Sequence, residues 1–201
     1  EDGDAGPAVE AAVQISDLAL DDAGDRLFLR NNTRSRAAGA VRIRDVDLRT
    51  GVIDVFAGAT PVALSEPYGD GASALFAQLF NPVSGSGGTE DMVFDGSMNE
   101  LLFVHDSDWI RAIDNLGIID TLVRQTIFGQ VPTIPGVYWF QGATYAMTAA
   151  GGDVYAQVCF TRRTSPGPQG GTEFLGCDAV GRWDGTGWTI VAGEGRHALQ
   201  R

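Results

Sequence analysis

The chain has 201 residues, 44% of them hydrophobic and 20% charged, which is sufficient for a folded core of its own. Its net charge of −12 opposes binding to nucleic-acid phosphates and anionic lipid, and no apolar stretch approaches the roughly 20 residues of a membrane-spanning helix. With 27 Gly and 8 Pro favouring turns, we expect an all-β protein with no nucleic-acid partner and no membrane span.

Short strands separated by turns are predicted along the whole chain. The first group is Ile15 to Leu20, Arg26 to Leu29, Val41 to Arg44 and Val52 to Phe56. The second is Met92 to Phe94, Leu101 to Val104, Trp109 to Ile113 and Ile118 to Val123, and the third is Ala143 to Met147, Val154 to Phe160, Ala179 to Trp183 and Trp188 to Val191. The segment from Ala72 to Leu79 could form at most a turn or two of helix. Each group therefore has four strands.

The three groups are copies of one repeat. Ile43-Arg44-Asp45-Val46-Asp47 recurs 67 residues later as Ile110-Arg111-Ala112-Ile113-Asp114, and a weaker copy is Val180-Gly181-Arg182-Trp183-Asp184. A Gly followed by an acid opens the repeat at Gly3-Asp4, Gly69-Asp70 and Gly193-Glu194, and a degenerate copy of this opening motif lies near Gly129-Gln130. Four strands per repeat is typical of a β-propeller blade. We number the units one (1–68), two (69–130) and three (131–192), with residues 193–201 starting a further repeat.

The best-preserved motifs are in unit two: the opening motif Gly69-Asp70-Gly71, then Ala77-Gln78-Leu79, Leu101-Leu102-Phe103-Val104, and Arg111 with Ile113-Asp114. This pattern resembles the NHL repeat, and the resemblance covers essentially the whole chain. It implies a β-propeller, usually of six blades, of which this chain holds three. Unit three departs from the pattern, with Val131 to Pro135 in place of the opening motif and an insertion between its two cysteines.

Three blades cannot close a ring, so we expect the open edges to need partners. The leading expectation is a segment of a longer array, completed by the remaining propeller blades of the same parent protein or by another chain. The alternative is a structural half-propeller that assembles with a second chain.

In this family the loops between the second and third strands of each blade often bind ligands. The first of these loops contains Arg34 and Arg36, and the third contains Arg162 and Arg163. Four arginines on one rim of an acidic chain could bind a carboxylate, a phosphate or an acidic partner, although solvated loop charge is the more ordinary explanation.

The second of these loops contains His105, Asp106 and Asp108, followed by Trp109. An exposed Trp there would be an anchor for recognition, whereas packing within the blade is the more common role of a Trp at the start of a strand. His105 is expected to be structural or solvent-facing rather than catalytic.

The two cysteines, Cys159 and Cys177, flank a stretch of turn-forming residues. We expect a disulfide that closes a long hairpin loop, and hence an extracellular, periplasmic or cell-surface location in a bacterial-like protein. No zinc spacing is present.

The remaining chemistry favours binding over catalysis. No nucleophile with a base, no paired carboxylates with a His and no phosphate loop stands out. No cofactor is expected, and calcium on Asp17, Asp21, Asp22, Asp25, Asp91 and Asp95 is a weaker alternative to ordinary turn hydrogen bonding. We expect a binding or scaffold module for a protein or carbohydrate. The alternative is a lyase-type or hydrolase-type propeller enzyme whose active site needs blades that this chain lacks.

Overall fold

The computed structural model describes residues 3–32, 41–58, 69–79, 91–105, 109–123, 129–130, 137–140, 147–163, 172–186 and 188–193. Within these segments the regular structure is almost entirely β, in three antiparallel sheets. The helical content of these segments is two 3-10 turns, Ala8–Glu10 and Ala74–Phe76. The all-β prediction is therefore confirmed.

Sheet one is formed by unit one. Its strands are β1 (Gly6–Pro7), β2 (Ile15–Leu20), β3 (Arg26–Asn32), β4 (Val41–Asp47) and β5 (Val52–Ala57), and their order across the sheet is β1-β5-β4-β3-β2. The turn between β2 and β3 is closed by Asp21, whose carboxylate accepts the N–H groups of Asp25 and Arg26 at 2.8 and 3.0 Å. Neighbouring strands are thus joined by short connections, and β1, which follows the opening motif, is added at the outer edge.

Sheet two repeats this arrangement with unit two. It contains β6 (Ala72–Ser73), β7 (Met92–Asp95), β8 (Glu100–His105), β9 (Trp109–Ile113) and β10 (Ile118–Val123), in the order β6-β10-β9-β8-β7. The pairing registers also agree, since Leu27 opposes Val46 in sheet one and Leu101 opposes Ile113 in sheet two. In these two units the sequence repeat is a repeat of strand order and register.

Sheet three differs from the other two. It consists of β11 (Gly129–Gln130), β12 (Val137–Phe140), β13 (Met147–Ala150), β14 (Asp153–Arg163), β15 (Thr172–Trp183) and β16 (Trp188–Ala192). The long strand β14 pairs with β13 along its first half and with β12 along its second half, and β11 pairs with β12. Of the strand predicted at Ala143 to Met147, residues 143–146 lie outside the described part of the chain, and the described strand β13 contains Met147. The pairing of β12 along the extended part of β14 is not predicted by the sequence pattern.

The sheets pack face to face in chain order. Phe28, Ile43 and Ala57 of sheet one share a buried cluster with Met92 and Phe103 of sheet two, among other residues. A second cluster joins Leu102, Ile110 and Ala112 of sheet two to Val154 of sheet three. We call β2, β7 and β13 the innermost strands of their sheets. They also contact one another, β2 with β7 and β7 with β13.

Two opening motifs are attached to their own sheets by buried ion pairs. Arg44 of β4 pairs with Asp4, and Arg111 of β9 pairs with Asp70, at 2.8 Å in the second case. Both arginine side chains are fully buried. Asp70 also accepts the Thr121 hydroxyl at 2.9 Å. Each of these opening motifs is therefore held on β4 or β9, the third of the four strands predicted for its unit.

Candidate functional site

Two of the predicted ligand-binding residues, His105 and Trp109, lie at one end of the sheets, which we call the loop end. It is the end at which the innermost strands β2, β7 and β13 begin. Because the strands are antiparallel, β3 and β8 finish at this end, at Asn32 and His105, and β9 begins there with Trp109. The opposite end carries the tight turns.

Two aspartates occupy equivalent positions at the loop end. Asp17 opposes Arg30 in the pairing of β2 with β3, and Asp91 lies opposite Val104, whose N–H donates to the Asp91 carbonyl at 2.9 Å. The Asp91 carboxylate accepts the backbone N–H of Met147, the first residue of β13. The Asp17 carboxylate accepts the N–H of Leu18 at 2.8 Å and lies near the N–H of Met92, the first residue of β7. Each carboxylate therefore reaches the first amide of the next innermost strand.

Burial changes the protonation of both carboxyl groups. It raises the pKa of Asp17, against the N–H groups of Leu18 and Met92 and the positive charge of Arg30, which lower it. Burial raises the pKa of Asp91 to about 6, against the hydrogen bond from Met147, and the nearby charge of Asp17 adds to the rise. The pair therefore resists carrying two negative charges at once.

His105 is part of a buried network and is not exposed at the surface of the loop end. Arg111 donates through Nη1 to the Nδ1 atom of His105 at 3.4 Å and to the carbonyl oxygen of Gln78 at 3.4 Å. The other terminal nitrogen of Arg111, Nη2, donates a hydrogen bond to the Asp70 carboxylate. Burial, with the positive charge of Arg111, lowers the pKa of His105 to about 3. The ring is neutral near pH 7 with Nδ1 accepting, which supports the structural role predicted for His105.

Trp109 packs against His105 with a ring-centroid distance of 5.8 Å and a nearly edge-on geometry. Its side chain is half-buried. Trp109 therefore contributes to packing within sheet two and also presents part of its surface at the loop end.

The other predicted ligand-binding residues are described only in part. Arg34, Arg36, Asp106 and Asp108 lie outside the described residues. The prediction that Arg162 and Arg163 belong to a loop is wrong: β14 continues to Arg163, with Arg162 opposite Glu173 and Arg163 opposite Thr172. The chain continues as a strand there because β12 and β15 both supply backbone hydrogen-bond partners for it.

The six aspartates of the calcium alternative do not converge. Asp17 and Asp91 are at the loop end, whereas Asp21 and Asp95 cap turns at the opposite end, with Asp95 accepting the N–H and hydroxyl of Ser97 at 2.9 and 2.7 Å. In the part of the chain that the structure describes, no three His, Cys, Asp or Glu side chains group as metal ligands would. Local turn hydrogen bonding accounts for Asp21 and Asp95.

The backbone places the two cysteines on neighbouring strands. β14 and β15 are in register at Val158 with Ala179 and at Phe160 with Gly176, and the pairing is irregular in between. Cys159 and Cys177 both occupy that irregular stretch, although their side chains are outside the described part of the structure. The predicted disulfide remains a prediction.

No protein-family model and no curated protein sequence matches the chain. Among solved structures, TolB from Acinetobacter baumannii is similar at a TM-score of 0.26 and 11% identity, over 81% of this chain. The chain spans 45% of the length of TolB. A likeness at this level carries no argument about function. Within the described segments, no helix has the length and apolar character that a bilayer span requires.

The predictions from sequence do not include the ion pairs that hold the opening motifs. A usable signal is nevertheless present, since the aspartate of the opening motif and the strand arginine recur at nearly constant spacing, 40 residues from Asp4 to Arg44 and 41 from Asp70 to Arg111. Two opposite charges that repeat in step within a repeat unit point to a contact.

Proposed function

We propose that the chain is a segment of an NHL-like β-propeller, usually of six blades, and that its loop end binds a protein or carbohydrate partner. The observation that supports this best is the stacking of three antiparallel sheets whose innermost strands lie side by side. Such stacking brings the equivalent ends of all three units to one surface, as in a propeller.

The chemistry of the loop end favours binding over catalysis. His105 is fully buried, neutral and hydrogen-bonded to Arg111, so it is poorly suited to exchange protons with a substrate. The Asp91 carboxylate accepts the backbone N–H of Met147, and the Asp17 carboxylate accepts that of Leu18. The half-exposed Trp109, together with the arginines of the neighbouring predicted loop, offers an aromatic and cationic surface of the kind that recognises partners.

Binding can be tested by applying the fluorescently labelled chain to a glycan array and to a peptide-display library. We expect selective ligands whose binding falls when Arg34 or Arg36 is changed to Glu, because the change reverses charge at the loop end. Arg49→Glu is the matched control, since Arg49 is exposed in the turn between β4 and β5 at the opposite end. Equal losses in all three variants would contradict a binding surface at the loop end.

A disulfide between Cys159 and Cys177, and hence an extracellular, periplasmic or cell-surface location, belongs to the same proposal. The backbone supports it by placing both residues in one irregular stretch of two adjacent strands. Titration of free thiols in the unfolded, unreduced protein should detect none. Two thiols per chain would exclude the disulfide and remove the argument for an oxidising compartment.

A further inference from the structure

One face of sheet one exposes apolar side chains at positions that are buried in sheet two. Val13, Leu18 and Leu20 are 36%, 56% and 51% exposed. By the 66-residue spacing of the opening motifs, Val13 corresponds to Leu79, which is 2% exposed. By strand register, Leu18 corresponds to Met92, which is 5% exposed, and Leu20 corresponds to the partly buried Phe94. The same positions are therefore buried in unit two, which packs against sheet one, and exposed in unit one.

Unit one covers these positions of unit two with its opposite face. Phe28 stacks on Phe94 with a ring-centroid distance of 5.8 Å and an interplanar angle of 10°. Leu79 packs so closely on Gly58, at the end of β5, that a Cβ added there would be 2.9 Å from its side chain. Ile43 and Ala57 complete the apolar contact. The side chains of this interface indicate which kinds of residue would pack against the exposed face of sheet one.

A carboxylate also crosses each interface near its innermost edge. Asp91 of sheet two accepts the Met147 N–H of sheet three, and the Asp17 carboxylate of sheet one lies near the Met92 N–H of sheet two. The corresponding amide of sheet one is that of Leu18, which donates to Asp17 of its own strand at 2.8 Å. A unit that docked here in the same way would bring an acidic side chain to the Leu18 amide.

The free face of sheet three does not match this requirement. Thr148 and Arg182 take the places of Val93 and Ala112, and Ala146 precedes β13 where Asp91 precedes β7. A second copy stacked head to tail would press Thr148 and Arg182 against leucines and would supply no carboxylate to the Leu18 amide. Burying Thr148 and the Arg182–Asp153 ion pair against apolar side chains opposes that arrangement.

We propose that the exposed face of sheet one, formed by Val13, Leu18 and Leu20, docks a further four-stranded blade. The innermost strand of that blade has an aspartate or glutamate in the place of Asp17, and its facing side carries an aromatic and an aliphatic residue in the places of Phe28 and Ile43. The occupant is not sheet three of a second copy. This inference rests on the proposed propeller architecture and names the partner for one of its open faces.

The test is a tandem protein in which residues 1–68 are duplicated ahead of the full chain, so that the second copy of unit one acquires a preceding blade of the required kind. Binding of a hydrophobic dye per molecule should not increase although a unit is added, and the thermal midpoint should rise by roughly 5 °C because two leucines become buried. Leu18→Ser with Leu20→Ser should abolish the rise when placed in the second, covered copy. The same pair in the first copy is the control and should leave the rise intact.

The unmodified chain provides a second measurement. Its Leu18→Ser/Leu20→Ser variant should bind roughly half as much dye at an unchanged thermal midpoint, because both side chains are exposed. An unchanged midpoint in the tandem protein, or a stable dimer of the unmodified chain that this double variant dissociates, would overturn the proposal. Ligand binding at the loop end is scored separately, so its failure would leave the docking result interpretable.

Discussion

Units one and two hold their opening motifs in a way that unit three does not. In the first two, an aspartate of the motif is paired with a buried arginine of the third strand, Asp4 with Arg44 and Asp70 with Arg111. In unit three the corresponding strand position is Gly181, by register with Ala156, and the degenerate motif has Gln130. Both charges are absent together. A buried arginine without its carboxylate is strongly destabilising, which explains why neither occurs alone.

Unit three is organised by strands instead. Its first strand, β11, pairs with β12, and β12 pairs with the extension of β14, whereas β1 and β6 pair with the last strands β5 and β10. The longer hairpin of β14 and β15 supplies the hydrogen-bond partners that β12 needs. The comparison teaches that the four repeated strands still form a sheet in a unit without the ion pair. A different backbone pairing is present at the start of that unit.

The largest effect should follow from breaking the pair that unit three lacks. Asp70→Ala removes the carboxylate that pairs with the buried Arg111, and we expect a loss of about 3–5 kcal/mol in the free energy of unfolding. Asp153→Ala is the matched control in unit three, because Asp153 pairs with Arg182 at 3.6 Å and both side chains are partly exposed. Its cost should be below about 1 kcal/mol. Urea unfolding measures both.

A double substitution sharpens the same comparison. Asp70→Ala with Arg111→Met removes both charges, as unit three does, and should be more stable than Asp70→Ala alone. If Asp70→Ala costs no more than Asp153→Ala, the buried pair is not what distinguishes the first two units from the third.

The next largest effect is the dependence of stability on pH. It comes from His105 and Asp91 of unit two, whose counterparts in unit three carry no charge. Because the pKa of His105 is lowered to about 3 from 6.5, the unfolded chain binds a proton that the folded chain does not as the pH falls below 6.5. Stability is lost in that range. His105→Asn places the residue of the equivalent position in unit one, Asn31, and should reduce this loss. Urea midpoints at pH 5 and pH 7.5 are the measurement.

Asp91 changes the pH dependence of stability in the direction opposite to that of His105. Its folded pKa of about 6 exceeds the ordinary 3.8, so the folded chain binds the proton more tightly and stability rises as the pH falls from 6 towards 4. Asp91→Asn should therefore gain stability at pH 7.5, by about 1 kcal/mol after allowance for solvent screening, and lose the advantage near pH 4. Parallel pH profiles for the wild type and both variants would contradict these assignments.

The smallest effect lies in the turn of the opening motif, where units one and two differ by one residue. Gly71 has φ +75°, and the equivalent residue of unit one is Ala5, which adopts φ 59°. An L side chain in the left-handed region costs about 1 kcal/mol. Gly71→Ala should therefore destabilise and Ala5→Gly should stabilise by about that amount, in thermal unfolding. Shifts of the same sign would show that the two opening motifs do not share this turn.

Much of the fold can be predicted because its signals are local. Strands such as Trp109 to Ile113 and Ile118 to Val123 are predicted with the bounds that the structure has, since turn residues and alternation lie within a few positions of each strand. The errors concentrate in unit three, at β12 and in the length of β14. There the pairing depends on segments far apart in the chain, and no local pattern carries it.

The candidate site is less predictable for a related reason. His105, Asp17 and Asp91 all stand out in the sequence, but their roles depend on what contacts them. His105 is neutral because Arg111 and the surrounding protein exclude its proton, and Asp91 is hard to ionise because it is buried beside Asp17. Neither environment can be derived from spacing along the chain.

By itself the sequence determined that the protein is an array of repeats with four short strands each, because turn residues and two-residue alternation act over short distances. Only the tertiary structure decided which face of each sheet is buried, how Asp4 and Asp70 reach their arginines, and which leucines of sheet one stay exposed. These properties depend on the unit that packs alongside. The same sequence pattern can therefore be buried in one unit and exposed to solvent in another.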